Sequence, residues 1–192
     1  MTSAGGLLII LSAPSGAGKS TLARELLKRD ARLGFSTSAT TRAPRPGEEH
    51  GRDYYFIGAD EFRAKIAAGE FLEWAQVHNN YYGTLQGEVA AMRAAGRDVL
   101  LDIDVQGGLQ LKGQGQEGLF LFIAPPSMLV LEQRLRGRGT NSDEDIRVRL
   151  ANAQAEMDRR HEYDAVIVND EVERALDELQ RVITAARKRK QA

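Results

Sequence analysis

The sequence predicts an α/β fold, a mainly parallel sheet core flanked by helices, and two observations predict it. Four short runs, Leu7–Leu11, Asp98–Asp104, Leu119–Ala124 and Ala165–Val168, are apolar without alternation, as strands covered on both faces are. Helical stretches separate them in order along the chain, which is the pattern of strands joined by crossover helices. A chain of 192 residues is long enough for one domain with a core of fair size and inserted lobes.

The elements follow in order. Thr21 to Asp30 reads as an amphipathic helix, with Leu22, Leu26 and Leu27 on one face. Phe35–Thr40 reads as a short strand. Thr41 to Asp53, TRAPRPGEEHGRD, is polar and rich in proline and glycine, the mark of an exposed loop. Asp60 to Ala68 reads as a short helix capped near Asp60. Glu70 to His78 carries Phe71, Trp74 and Val77 and reads as a strand, with a turn at Asn79-Asn80. A helix is expected over Leu85 to Ala95, stopped at Gly96. After Leu119–Ala124 and Pro125-Pro126, Ser127 to Gly137 reads as a helix with Ser127 as its cap. Asn141 to Tyr163 reads as a long charged helix and Glu171 to Lys190 as the last one. The polar stretch from Thr37 to Thr84 interrupts the strand–helix regularity and reads as an inserted lobe of mixed α/β structure.

Composition excludes several classes. Apolar residues are 42% and charged residues 28% of the chain, ordinary for a soluble globular protein. The net charge of −1 provides no field for nucleic acid or a membrane surface, so neither is expected as a partner. There is no cysteine, hence no disulfide and no thiolate metal site, and His50, His78 and His161 are far apart without metal-ligand spacing. No apolar run approaches the ~20 residues that span a bilayer. The MTSAGG start has no basic region before its apolar run, so no signal peptide is expected. The expectation is a cytoplasmic enzyme, monomer or homodimer.

The chemistry concentrates at the ends of the strands, where open parallel sheets bind ligands. Leu7–Leu11 runs into Ala13-Pro14-Ser15-Gly16-Ala17-Gly18-Lys19-Ser20-Thr21. A strand, a small-residue turn and a helix start of this kind wrap backbone N–H groups around phosphate, and the helix adds its positive end. Lys19 supplies a mobile cation and Ser20 a hydroxyl for Mg²⁺. The pattern G-x-x-x-x-G-K-[ST] begins here with Ala13 in place of its first glycine. Asp102 follows an apolar strand and can sit beside Ser20 as a second Mg²⁺ partner, while Asp104 shares its parity one pleat further out; a helix cap or turn is the plainer alternative for either. A basic cluster, Arg134, Arg136, Arg138, Arg147 and Arg149, flanks the glycine-bounded stretch Gly137 to Ser142. It reads either as a mobile flap of cations closing over phosphates or as a solvated face paired with Glu132, Asp143, Glu144 and Asp145. Arg42, Arg45 and Glu48 lie in the polar loop, with Tyr54, Tyr81 and Tyr82 downstream. Two such arginines can grip a phosphate dianion, although loop arginines are commonly only solvated.

Taken together these residues resemble guanylate kinase, the bacterial-type nucleoside monophosphate kinase family of P-loop NTPase fold. The resemblance runs through APSGAGKST, STSATTRAPRPGE, GRDYYF, EFLEWAQVHNNYYGT, LLDIDVQG, FLFIAPPS, RLRGRGT and VIVND, blocks that cover nearly the whole chain in the family's order. Ala13 is acceptable among bacterial members, and Thr84 stands where some carry serine. The resemblance implies ATP-dependent phosphorylation of GMP and dGMP to GDP, with Mg²⁺, by in-line transfer, in purine nucleotide metabolism and GMP recycling. It implies that Ala13 to Thr21 bind ATP, with Asn169 near the adenine. Arg42, Arg45, Tyr54 and Tyr82, with Glu48 beside them, would hold the GMP phosphate. Ser38, Glu73, Thr84 and Asp104 would line the guanine site, and Ser20 and Asp102 the Mg²⁺ site. Lys19, Arg42, Arg134, Arg138 and Arg149 would carry the catalysis. One domain over 1–192 is expected, with a core of 1–36, 85–136 and 150–192, a GMP-binding lobe at 37–84 and a small mobile lid at 137–149. Two other readings remain: another P-loop small-molecule kinase, against which the Ser38/Glu73/Thr84/Asp104 set speaks, and a non-catalytic guanylate-kinase-like binding module, against which the retained Lys19 and Ser20 speak.

Overall fold

The first strand, β1 (Leu8–Ser12), has all five residues buried, and its alternate side chains enter two different cores. The computed structural model describes residues 5–77, 79–137 and 142–191. In chain order the elements after β1 are α1 (Lys19–Arg29), β2 (Leu33–Phe35), β3 (Ala39–Thr40), β4 (Tyr55–Phe56), α2 (Ala59–Ala67), β5 (Phe71–Val77) and β6 (Asn80–Leu85). There follow α3 (Gln86–Ala94), β7 (Asp98–Asp102), α4 (Val105–Gly113), β8 (Leu119–Ala124), α5 (Met128–Arg136), α6 (Asp143–Asp158), a short 3₁₀ turn at Arg160–Glu162, β9 (Ala165–Val168) and α7 (Val172–Gln191).

The core sheet is parallel throughout, in the order β2-β7-β1-β8-β9. Ile9 and Leu11 pack with Leu22 and Leu26 of α1 and with Leu176, Leu179 and Ile183 of α7. Leu8 and Ile10 point the other way, to Val89 of α3 and Leu111 of α4. Burial on both faces is why the strand shows no polar alternation. A second sheet, β4-β3-β6-β5, is antiparallel except at β3/β4. Its core is aromatic: Phe62 of α2 stacks on Phe71 at 4.3 Å and on Tyr81 at 5.3 Å.

Several expected elements differ. The Phe35–Thr40 strand is two, β2 in the core sheet and β3 in the other, because Ser36 to Ser38 carry the chain from one sheet to the next. Strand β6 begins where only a turn was expected. The long charged helix starts later and ends earlier, since Ser142 and Asp145 form a reciprocal capping box at its start. The strand Asp98–Asp104 stops at Asp102, and Asp104 instead caps the unforeseen α4, its Oδ1 accepting from Gly107 N–H at 2.7 Å. The parity argument therefore does not reach Asp104.

Candidate active site

Parallel pairing places the end of β1 beside the end of β7, with Leu11 opposite Asp102. The turn after β1 thus opens next to the carboxylates that follow β7. Gly16 and Gly18 have φ of 96° and 91°, the left-handed region that glycine tolerates, and this turns the loop's N–H groups inward. Gly18 caps α1 without a side-chain hydrogen bond, which leaves the first-turn N–H groups facing the cavity. Two groups, one buried and one half-buried, hold the loop from below. The Asn169 side chain donates to the carbonyl of Ala17 at 2.7 Å, and the Arg134 guanidinium donates to the same carbonyl at 3.4 Å and to that of Asn169 at 2.9 Å. Arg134 therefore belongs to α5 and the loop's underside rather than to a flap.

Lys19 is ion-paired with Asp102 and also donates to the Ile103 carbonyl at 2.8 Å. Two cavities meet at this lysine. One is lined by Ser38, Tyr54, Glu73, Tyr82, Asp102 and Asp104, the other by the loop from Ala13 to Thr21 except Ala17, with Arg149 and Glu156 opposite. They share Lys19, Ser20, Val77 and Asp104.

At the far end of the first cavity Glu73 is buried, and Thr84 donates its hydroxyl to Glu73 Oε1 at 2.6 Å. Burial is the main cause that pushes this carboxyl up to about 7, with the charge of Asp104 adding to it. A side chain at Gly107 would stand 2.8 Å from Glu73 Oε2, so only glycine lets the first turn of α4 approach the carboxylate. Arg42 does not line this cavity but lies behind Tyr54, which does: it is ion-paired with Glu48 at 2.9 Å and stands 5.4 Å from the Tyr54 ring centroid. The Glu48 hydrogen bond holds the Arg42 guanidinium charged, and Tyr82 adds to it. Glu48 also accepts from the Arg45 backbone N–H at 2.7 Å, while the Arg45 side chain is exposed. Burial is the first cause that raises Tyr54, which keeps its phenol protonated at neutral pH.

The arginine cluster divides. Arg136 pairs with Glu132 and Asp143, and Arg147 with Glu144, as on a solvated helix face. Arg149 instead reaches the Ser15 hydroxyl at 3.2 Å. Arg138 lies outside the described residues, as do 139–141 of the expected lid. Asp145, Arg149, Asn152 and Glu156 form one stripe of α6 facing the loop cavity. Their helical spacing was readable, but the charges crowded into the first two turns of this helix hid it. Burial and the charge of Asp104 push Glu156 up to about 7, which Lys19 partly offsets.

A family model described as guanylate kinase matches residues 6–186. The guanylate kinase of Dechloromonas aromatica (strain RCB) is 52% identical over 181 residues, 94% of this chain and 90% of the relative. That of Oleidesulfovibrio alaskensis (strain ATCC BAA-1058 / DSM 17464 / G20) is 51% identical over 181 residues, 94% of this chain and 88% of the relative. The crystal structure of guanylate kinase from Anaplasma phagocytophilum superposes with a TM-score of 0.77 at 34% identity, covering 95% of this chain and 87% of that one.

Proposed function

The chain belongs to the guanylate kinase family and is an enzyme that phosphorylates GMP with ATP, and from that premise we propose how its two communicating cavities divide the reaction. ATP lies in the loop cavity and GMP, or dGMP, in the other. The observation that carries this reading is the buried Glu73, oriented by Thr84, in a cavity that also holds Lys19. Guanine offers donors at N1 and N2 beside an acceptor at O6. The ionised Glu73 accepts from both donors and the Ser38 hydroxyl donates to O6, whereas adenine would set a ring acceptor against the carboxylate. An unpaired buried acceptor costs about 1–3 kcal/mol, more when charged, which suffices for strong discrimination. Asp104 completes the base site from the cap of α4.

Arg42, held by Glu48, binds the GMP phosphate with Tyr54 and Tyr82, and Arg45 closes on it from the exposed loop. Lys19 and Arg149 neutralise charge on the transferred group, and Arg134 acts by bracing the loop. Asn169 supports the loop beside the adenine. A GMP phosphate oxygen needs no general base, because its second pKa is about 6; positioning and charge neutralisation carry the catalysis. The Ser20 hydroxyl and Asp102 suit Mg²⁺, which takes one or two protein oxygens together with substrate phosphates and waters. Among the described residues no group of three or more His, Cys, Asp or Glu could hold a metal by itself. Held there, Mg²⁺ would supply charge neutralisation for the nucleotide phosphates. The lobe at 37–84 and the lid at 137–149 close over the core to exclude water.

The test is ADP release with Mg·ATP against GMP, dGMP, AMP and CMP. GMP and dGMP should dominate, and equal rates with AMP would sink the guanine assignment.

A further inference from the structure

Helix α4 is pinned at both ends to the segment that follows α6. At its C-terminal end Lys112 donates to the Glu162 carbonyl at 2.6 Å and to Asp164 at 3.0 Å. Asp164 is itself fixed in the core sheet by the Phe120 N–H at 2.8 Å. At its N-terminal end the Tyr163 hydroxyl lies at the first turn. It donates to the Val105 carbonyl at 3.4 Å, and the Ser12 hydroxyl lies against the same turn at Gly108. Ser12, the fully buried last residue of β1, donates its hydroxyl to the Asp104 carbonyl at 3.1 Å. The fit is close, since a Cβ at Gly108 would stand 2.6 Å from Ser12 Oγ and 2.7 Å from Tyr163 Oη. On its other side the same turn meets Glu73 through Gly107.

The Tyr163 ring would be satisfied as a phenylalanine. It packs edge-on to Phe122 at 5.2 Å inside an apolar cluster. A buried hydroxyl in such a place is costly unless it is bonded, and this one is bonded to the first turn of α4. Burial also pushes it up to about 12, so it stays a neutral donor wherever the enzyme can be assayed.

We propose that Tyr163, acting with Ser12, is a positioning residue for the acceptor base: it fixes the first turn of α4 and so sets Asp104 and Gly107 against Glu73. Because Tyr163 immediately follows the turn that ends α6, the helix bearing Arg149, it also fixes the guanine-reading turn to the donor side of the site. The inference rests on the assignment of Glu73 and Asp104 to the guanine site.

The experiment compares Tyr163→Phe, Ser12→Ala, the double variant and Asp104→Asn with the intact enzyme. Steady-state constants are measured for GMP, for ATP, and for inosine monophosphate, which lacks the 2-amino group. Tyr163→Phe and Ser12→Ala should each raise the GMP KM about 3- to 10-fold, the effect of ~1 kcal/mol at a hydrogen bond. The ATP KM should stay within about twofold, and the preference for GMP over inosine monophosphate should shrink. The double variant should be no worse than the poorer single one, as residues of one network are non-additive. An unchanged GMP KM in Asp104→Asn would overturn the base-site assignment itself. If Asp104→Asn impairs GMP while Tyr163→Phe and Ser12→Ala do not, or while they impair GMP and ATP alike with only a lower melting temperature, the positioning role is overturned.

Discussion

Replacing Glu73 with Gln should move activity and stability in opposite directions. Glu73 is only 5% exposed, and burial pushes its carboxyl from 4.5 up to about 7. The unfolded chain gives up this proton first, so the folded state binds more protons between those two values. Stability therefore falls as pH rises from 4.5 to about 7, and the full loss persists above it. At ~1.4 kcal/mol for each pH unit, that interval amounts to about 3 kcal/mol. Glutamine carries no charge at any pH, and its carbonyl can still accept from Thr84. A domain of this size shifts by ~2–4 °C for each kcal/mol. Glu73→Gln should thus melt about 6–12 °C higher than the intact protein at pH 8, and at nearly the same temperature at pH 4.5. The same amide turns an N–H toward guanine's donors, so kcat/KM for GMP should drop about 10²- to 10³-fold, roughly 3–4 kcal/mol for two disrupted charged hydrogen bonds. The assays are thermal unfolding from pH 4.5 to 8.5 and ADP release under varied GMP. A melting difference independent of pH would show that the burial penalty does not sit on this carboxyl. Retained kcat/KM for GMP would show that guanine is not read there.

Three further outcomes are expected. Lys19→Ala should lower turnover about 10³-fold, the loss of one charged group stabilising the transition state, while equilibrium GMP affinity stays within about twofold; lost GMP binding would refute separate donor and acceptor cavities. Gly107→Ala places a methyl 2.8 Å from Glu73 Oε2, and should raise the GMP KM about tenfold and cost about 1–3 kcal/mol of stability in a denaturant titration. Arg187→Met removes the guanidinium bonded at 2.5 Å to two largely buried carboxylates, leaving Asp98 the Leu7 N–H and Asp30 the exposed Arg32; unfolding should become easier by about 3 kcal/mol with kcat/KM unchanged, because Asp98 begins the strand whose other end bears the site.

What was legible in the sequence depended on how local its cause was. The five core-sheet strands include four whose unbroken apolar runs announce them. In β1, β7 and β8 burial on both faces leaves no polar position between the ends, while the edge strand β9 stays apolar although Val166 and Val168 are exposed. The phosphate loop was legible because glycines, lysine and serine act within nine residues. Strand β2 was merged with β3, since neither is long enough to show a period and their separation is decided by which sheet each joins. Strand β6 was hidden because Tyr81, Tyr82 and Gly83 pair across to β5 in a mostly polar run. Helix α4 was hidden by Gly107, Gly108 and Gly113, poor helix formers of which the first two are required by Glu73, Ser12 and Tyr163. The residues proposed for the base site came only through family resemblance: the β5–β6 pairing sets Thr84 opposite Glu73, and Ser38 and Asp104 join them only in the folded cavity.

Tertiary packing makes one short segment line both cavities. Asp102 ends the strand beside the phosphate loop and pairs with Lys19, and the next carbonyl, that of Ile103, accepts from the same ammonium. Asp104 opens α4 and lines both cavities. A strand that ran on to Asp104 would have left the two carboxylates one pleat apart on one face. By stopping at Asp102 the chain can turn, cap a helix, and bring that helix's first turn against Glu73. Donor lysine and acceptor carboxylate are thereby fixed to the same three residues, so a shift of the guanine-reading turn also shifts the partners of Lys19. On the proposed assignment of the two cavities, acceptor choice and phosphoryl transfer are coupled by covalent proximity, without any long-range relay.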